Sequence, residues 1–139
     1  MKLLLKNVMI LFIYLISSCS SGQVIFTPQE EKLPDAKVGS FYVYYIGLAS
    51  KDSGESFYLS EDNIRLSISP ENSGITIKPA FEHCSFEYEK RKCSGFNKFI
   101  VKGNPLLHGV VRIDIIGRTY GSMVDKGYIF KKKYFIKIN

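Results

Sequence analysis

Residues 64–79, Ile64-Arg65-Leu66-Ser67-Ile68-Ser69-Pro70-Glu71-Asn72-Ser73-Gly74-Ile75-Thr76-Ile77-Lys78-Pro79, hold two apolar/polar alternations split by a turn signal. Ile64, Leu66 and Ile68 fall on one side of an extended chain, and Arg65, Ser67 and Ser69 on the other. Successive side chains of a strand point to opposite faces, so this period of two predicts a half-buried strand. The first run stops at Pro70, which lacks the N–H that a ladder uses. Pro70 to Gly74 reads as a turn. Gly74 to Lys78 then alternates again and stops at Pro79.

The same punctuation extends in both directions. Val111, Ile113 and Ile115 alternate with Arg112, Asp114 and Ile116, and Tyr134, Ile136 and Ile138 share one face near the end of a run over Tyr128–Ile138. Lys98–Lys102 is short and ends at Gly103-Asn104-Pro105. Phe41–Leu48 (FYVYYIGL) is aromatic and β-branched, and its nearly unbroken apolarity predicts burial on both faces or an interface. Val24–Thr27 is a candidate first strand and Phe57-Tyr58-Leu59 a short further one. No stretch carries a 3.6-residue period long enough for a helix. With 139 residues, 45% hydrophobic and 14% aromatic, the chain suits one globular domain and excludes scaffolds such as the (β/α)8 barrel. The fold class expected is all-β, an antiparallel sandwich of about seven strands.

Several stretches resemble the immunoglobulin-like, cadherin-like repeats of bacterial surface proteins. Leu33-Pro34-Asp35-Ala36-Lys37-Val38-Gly39-Ser40-Phe41-Tyr42 is similar to their opening, a Leu-Pro, a Val-Gly and an aromatic before the first long strand. Ser73–Ile77, Phe99–Pro105, Gly109–Ile115 and Tyr134–Ile138 resemble their later strands and turns. Asn104 stands where those repeats usually have Thr, and the segment between Cys84 and Cys93 has no counterpart in them. The resemblance covers about residues 33–138 and implies an immunoglobulin-like sandwich with an adhesive or scaffolding habit, not a reaction.

The first 18 residues read as an address. Lys2 and Lys6 precede an unbroken apolar run, Val8 to Ile16. A bilayer span needs about 20 apolar residues, so this run fits the core of a signal peptide. Leu15-Ile16-Ser17-Ser18-Cys19 resembles the lipobox of bacterial lipoproteins, with Ile16 in place of the commoner Leu. The resemblance implies that Cys19 receives diacylglycerol and becomes the first residue of the mature chain, and Ser20 after it implies the outer membrane. The organisation expected is a signal peptide over 1–18, the lipidated Cys19 and a flexible tether over 19–32, and the sandwich over 33–139.

Two further cysteines remain, Cys84 and Cys93. An even pair in an exported, oxidising compartment reads as a disulfide. Phe86-Glu87-Tyr88-Glu89 alternates, and Lys90-Arg91-Lys92 reads as a solvated turn, so a locally stapled hairpin or loop is expected. A zinc site drawing on His83 and His108 does not fit the usual short cysteine spacing.

Catalytic patterns are absent from the sequence. There is no Gly-x-Ser-x-Gly elbow, phosphate loop or EF-hand pattern. His108 precedes a strand and reads as a turn residue. Asp35, Asp52, Glu61, Asp62 and Asp125 would make a calcium site only if one end of the sandwich gathered them. No enzyme, cofactor or metal is expected. Charge is more informative. Residues 20–83 carry 5 basic and 9 acidic side chains, whereas 84–139 carry 12 and 4. Lys126, Lys131, Lys132, Lys133 and Lys137 form a candidate contact patch for anionic lipid, lipopolysaccharide or an acidic envelope protein; export makes nucleic acid the wrong partner. The other reading of these lysines is the solvent face of an edge strand, where charge blunts aggregation. Tyr42, Tyr44, Tyr120 and Tyr128 are the aromatic contact candidates if exposed. The function expected is a lipid-anchored, non-enzymatic binding or scaffolding module of the outer membrane, held to it through its N-terminal lipid. The alternative is an inhibitor or immunity lipoprotein that blocks an envelope-attacking hydrolase.

Overall fold

The computed structural model describes residues 24–50, 59–81, 83–87, 90–120 and 127–139. Among the described residues nine strands form: β1 (Val24–Thr27), β2 (Tyr42–Ser50), β3 (Ile64–Ser69), β4 (Ile75–Pro79), β5 (His83–Glu87), β6 (Lys90–Ser94), β7 (Lys98–Gly103), β8 (Gly109–Arg118) and β9 (Ile129–Ile138). One 3-10 turn, Glu71–Ser73, is the helical element among the described residues. Seven strands build two antiparallel sheets, ordered β1-β2-β7-β4 and β3-β8-β9, and β5 and β6 pair with each other as a separate hairpin. The protein is an all-β sandwich. With the hairpin set aside, the strand order is that of a constant-type immunoglobulin domain, four strands facing three.

The core is the set of inward positions that the alternation marks. Ile113, Ile115, Tyr134 and Ile136 from one sheet and Ile46, Phe99 and Val101 from the other are fully buried. The rings of Phe26 on β1 and Phe130 on β9 meet edge-on across the sandwich, 5.8 Å between centroids. β2 departs from its expected burial on both faces. Tyr42, Ile46 and Leu48 are buried, whereas Phe41, Val43 and Tyr45 are exposed. A two-layer sandwich covers one face of each sheet, so a continuously apolar strand leaves half of its side chains outside.

Other boundaries differ for identifiable reasons. Pro79 lies inside β4 rather than after it. β4 is the outermost strand of its sheet, where a residue without an N–H costs no ladder bond. Lys90-Arg91-Lys92 is not a turn but lies in β6. The hairpin register pairs Cys84 with Cys93 and Glu87 with Lys90, which carries the basic run onto the returning strand. Phe57 and Tyr58 lie outside the described residues, and Leu59 is buried without joining a strand. At the turn between β7 and β8, glycine is required by close approach. A Cβ on Gly103 would sit 2.0 Å from the Gly74 carbonyl oxygen, and one on Gly74 (φ +82°) 2.1 Å from that of Asn104. Two backbones touch there with no space for side chains.

Val24–Thr27, the first described strand, already belongs to the sandwich, ahead of the boundary expected at 33. After β1 the chain leaves the first sheet, crosses its edge and runs beside β9 in the second. Phe135 N–H donates to the Glu31 carbonyl (2.8 Å), Leu33 N–H to Phe135 O (2.9 Å), Ala36 N–H to Lys137 O (2.8 Å) and Asn139 N–H to Ala36 O (2.9 Å). The bridges at Lys32 and Ala36 are parallel. This strap covers the open edge of β9 from Phe135 onward. Two buried tyrosines hold it from below: Tyr134 Oη donates to the Pro28 carbonyl (2.7 Å) and Tyr42 Oη to the Pro34 carbonyl (3.1 Å).

Burial pushes the Tyr42 phenol up to about 12 from the ordinary 10.0, with smaller contributions from Tyr44 and Asp35. Burial raises Tyr134 as well. A raised acid pKa favours the neutral form in the folded chain, so this stabilisation is complete below pH 10.0 and is lost as pH climbs towards about 12. The urea midpoint is therefore expected to fall across that window, and the Tyr42→Phe, Tyr134→Phe double variant to fall less steeply, with equilibrium unfolding followed at each pH.

Candidate functional site

Three connections share one end of the sandwich: β2 to β3 between the sheets, and β4 to β7 and β8 to β9 within one sheet each. Ser50, Val24, Lys98 and Pro79 end their sheet there, as do Ile64, Arg118 and Ile129 in the other. The β5–β6 hairpin is inserted at this end, between β4 and β7. Local polar bonds knit it. The Asn63 side chain accepts from Ser60 N–H (2.7 Å) and donates to Arg118 O (3.0 Å), Gly95 N–H donates to Leu59 O (3.2 Å), and Thr119 and Tyr128 bond in both directions. Ser60 and Tyr120 hydroxyls lie 3.3 Å apart.

Among the described residues the expected carboxylates are not all at one end. Asp35 lies on the strap at the opposite end from Glu61 and Asp62, and Asp52 and Asp125 fall outside the described residues. Among the described residues no three His, Cys, Asp or Glu side chains meet as a metal site would require. His108 is exposed in the loop before β8. A shallow depression of about 250 Å³ opens near the start of β9, its lining including Asp62, Asn63, Arg65, Ile116, Arg118 and Ile129.

The two outer sheet faces hold the exposed chemistry. On the four-stranded sheet, Val43 and Tyr45 (52% exposed) stand on β2 with Phe41 (68%) just before it, and Phe81 (66%) lies beyond β4. The Lys98 ammonium sits over both the Tyr45 ring (5.2 Å) and the Phe81 ring (5.9 Å). Lys78 and Lys102 share this face. Of the aromatic residues expected as contacts, Tyr42 is buried and Tyr44 packs against the core, whereas Tyr120 is exposed and Tyr128 half-buried.

The three-stranded sheet divides the expected lysine patch. Lys131, Lys133 and Lys137 point outward from β9. Lys132 points the other way: its ammonium donates to the Gln29 carbonyl and lies 5.3 Å from the Tyr134 ring. Lys126 lies outside the described residues. The register adds three cations that the sequence reading missed. Arg65 on β3 and Arg112 and Arg118 on β8 share the outward parity and the same face. Their alternation with Ile64, Val111 and Ile113 was the available signal; which strands neighbour β9 was not. Asp114 is the one outward acid on these strands, and Arg112 Nε donates to it at 2.8 Å.

No family model and no curated protein sequence matches the chain. Among solved structures it is similar to domains 4 and 5 of the S-layer protein SbsC, with TM-score 0.44 and 14% identity over 84% of this chain and 50% of that one. It is also similar to a longer SbsC structure, with TM-score 0.45 and 13% identity over 84% of this chain and 12% of that one. A variant of the SrpA adhesin from Streptococcus sanguinis gives TM-score 0.42 and 13% identity, over 86% and 59% of the two chains. The chain spans half or less of either SbsC structure. The fold assignment rests on its own strand order.

The division of the lysines has a measurable consequence. Lys132→Ala removes a carbonyl partner and a ring contact and is expected to destabilise by about 1 kcal/mol. Lys131→Ala and Lys133→Ala are expected to stay within about 0.5 kcal/mol of the parent in urea unfolding.

Proposed function

We propose that the protein is a lipid-anchored, non-enzymatic binding or scaffolding module of the bacterial cell envelope, held at the outer membrane through Cys19. The observation that carries this reading is the pair of broad outer sheet faces, which among the described residues present basic, aromatic and aliphatic side chains to the surroundings. The sequence supplies the anchor, because the lipobox-like Ile16-Ser17-Ser18-Cys19 stands only five residues before β1. A basic partner such as a cationic hydrolase gains no long-range attraction from these faces, which ranks envelope binding ahead of inhibition.

Metabolic labelling with a fatty acid tests the anchor. The parent is expected to take up label and to sediment with membranes, and Cys19→Ala to lose both; unchanged retention of the variant overturns the reading.

The same export route supports a Cys84–Cys93 disulfide. Directly opposed residues of an antiparallel pair have Cα atoms about 4.5–5.5 Å apart, inside the range a disulfide bridges, and the hairpin register sets these two cysteines opposite each other. A bond closing this short loop stabilises by about 2–3 kcal/mol. Alkylation of the denatured, unreduced protein, read by mass, is expected to leave Cys84 and Cys93 unmodified, and reduction to expose both and lower the urea midpoint.

A further inference from the structure

We infer that the outer face of β3-β8-β9 lies against the anionic lipid surface to which the chain is tethered. This rests on the lipid-anchored reading above and adds the face of the domain that meets the membrane and the chemistry it meets there.

The register arranges the outward side chains in rows across the three strands. Arg65, Ile116 and Lys131 form one row, Ser67, Asp114 and Lys133 the next, and Ser69, Arg112 and Phe135 a third. Val110 pairs with Lys137 beyond one end, and Arg118 with Ile129 beyond the other. Among the described residues of these strands six basic side chains thus share the face with one carboxylate, Asp114, already bonded to Arg112, and Asp62 lines the depression beside Arg65 and Ile129 at one end. Between the cations stand exposed aliphatic side chains, Ile129 (71% exposed), Val110 and Ile116.

This mixture decides the partner. A soluble polyanion needs the cations but gives the exposed aliphatic groups nothing to enter. An anionic headgroup layer serves both: phosphates take the Lys and Arg side chains while apolar groups insert at the acyl boundary. The face is also broad enough to lie flat, since ten-residue strands run for about 30 Å.

Chain length brings this face to the bilayer. From Cys19 to Val24 there are five residues, which span at most about 18 Å when extended. Val24 sits at the end of the sandwich that also carries Ile129, Arg118 and Arg65. The tether therefore holds one end of the basic face near the headgroups, and attraction along β9 would lay the rest down. The outer face of the four-stranded sheet carries fewer cations, Lys78, Lys98 and Lys102 on β4 and β7, and the Lys98 ammonium is held between Tyr45 and Phe81.

The lysines of the two faces make an internal comparison. Full-length protein is extracted from the membranes of producing cells and reconstituted on vesicles of phosphatidylcholine alone or mixed with phosphatidylglycerol. Acylation rates are then read lysine by lysine by mass. On the anionic vesicles Lys131, Lys133 and Lys137 are expected to react about fivefold more slowly than on the neutral ones, Lys78, Lys98 and Lys102 at unchanged rates, and the difference to vanish in high salt. Equal rates on the two vesicle types, or slowing confined to Lys78, Lys98 and Lys102, overturn the docking while leaving the anchor intact. Protein that floats free of both vesicle types overturns the anchor, and the docking with it.

Discussion

The strap over residues 28–38 is the constraint on which the sandwich depends. β1 belongs to the four-stranded sheet, yet within a few residues the same chain bonds along β9 in the other sheet. One covalent segment thus closes an edge between the two layers. The tyrosine hydroxyls beneath it solve a specific problem. A chain that crosses a sandwich edge carries carbonyls out of any ladder, and such groups are costly if left near an apolar core. Tyr134 and Tyr42 reach Pro28 and Pro34 from opposite sheets, so each large ring fills the core while its tip satisfies the crossing backbone.

That closure also determines what stays outside. The strap pairs with β9 over Phe135–Asn139, so Lys137 is not needed to repel edge pairing, whereas Lys131 and Lys133 stand on the stretch before it; all three project with Arg65, Arg112 and Arg118 from one face. On the other sheet the outer side of β2 and the residue before it leave Val43, Tyr45 and Phe41 in solvent. The two faces differ in character, one dominated by cations and the other by aromatic rings around Lys98.

Much of the candidate surface was legible as parity. In β9 the inward set Tyr134, Ile136 and Ile138 already places Lys132 with the core side and Lys131, Lys133 and Lys137 opposite. The five-lysine cluster overlooked this because a cluster counted along the sequence ignores the two faces of a strand. The hairpin between Cys84 and Cys93 was legible too, but its turn was placed on the basic run; the register moves Lys90–Lys92 into a strand. Burial of β2 on both faces failed because apolarity alone does not say how many layers a protein has.

The sequence by itself determined where most of the strands form, the two faces of each one, the leader-like N-terminus with its Ser-Ser-Cys ending and the single pair of later cysteines. These are local properties, written in neighbouring residues through period-two alternation and the backbone limits of Pro and Gly. Only the tertiary structure decided which strands are neighbours, that residues 24–32 belong to the domain, and that arginines from β3 and β8 join the lysines of β9. Alternation gives every strand an inside and an outside but no partner. Partners are chosen by packing the inward side chains of segments far apart in the chain, as when the Pro28 carbonyl waits for Tyr134.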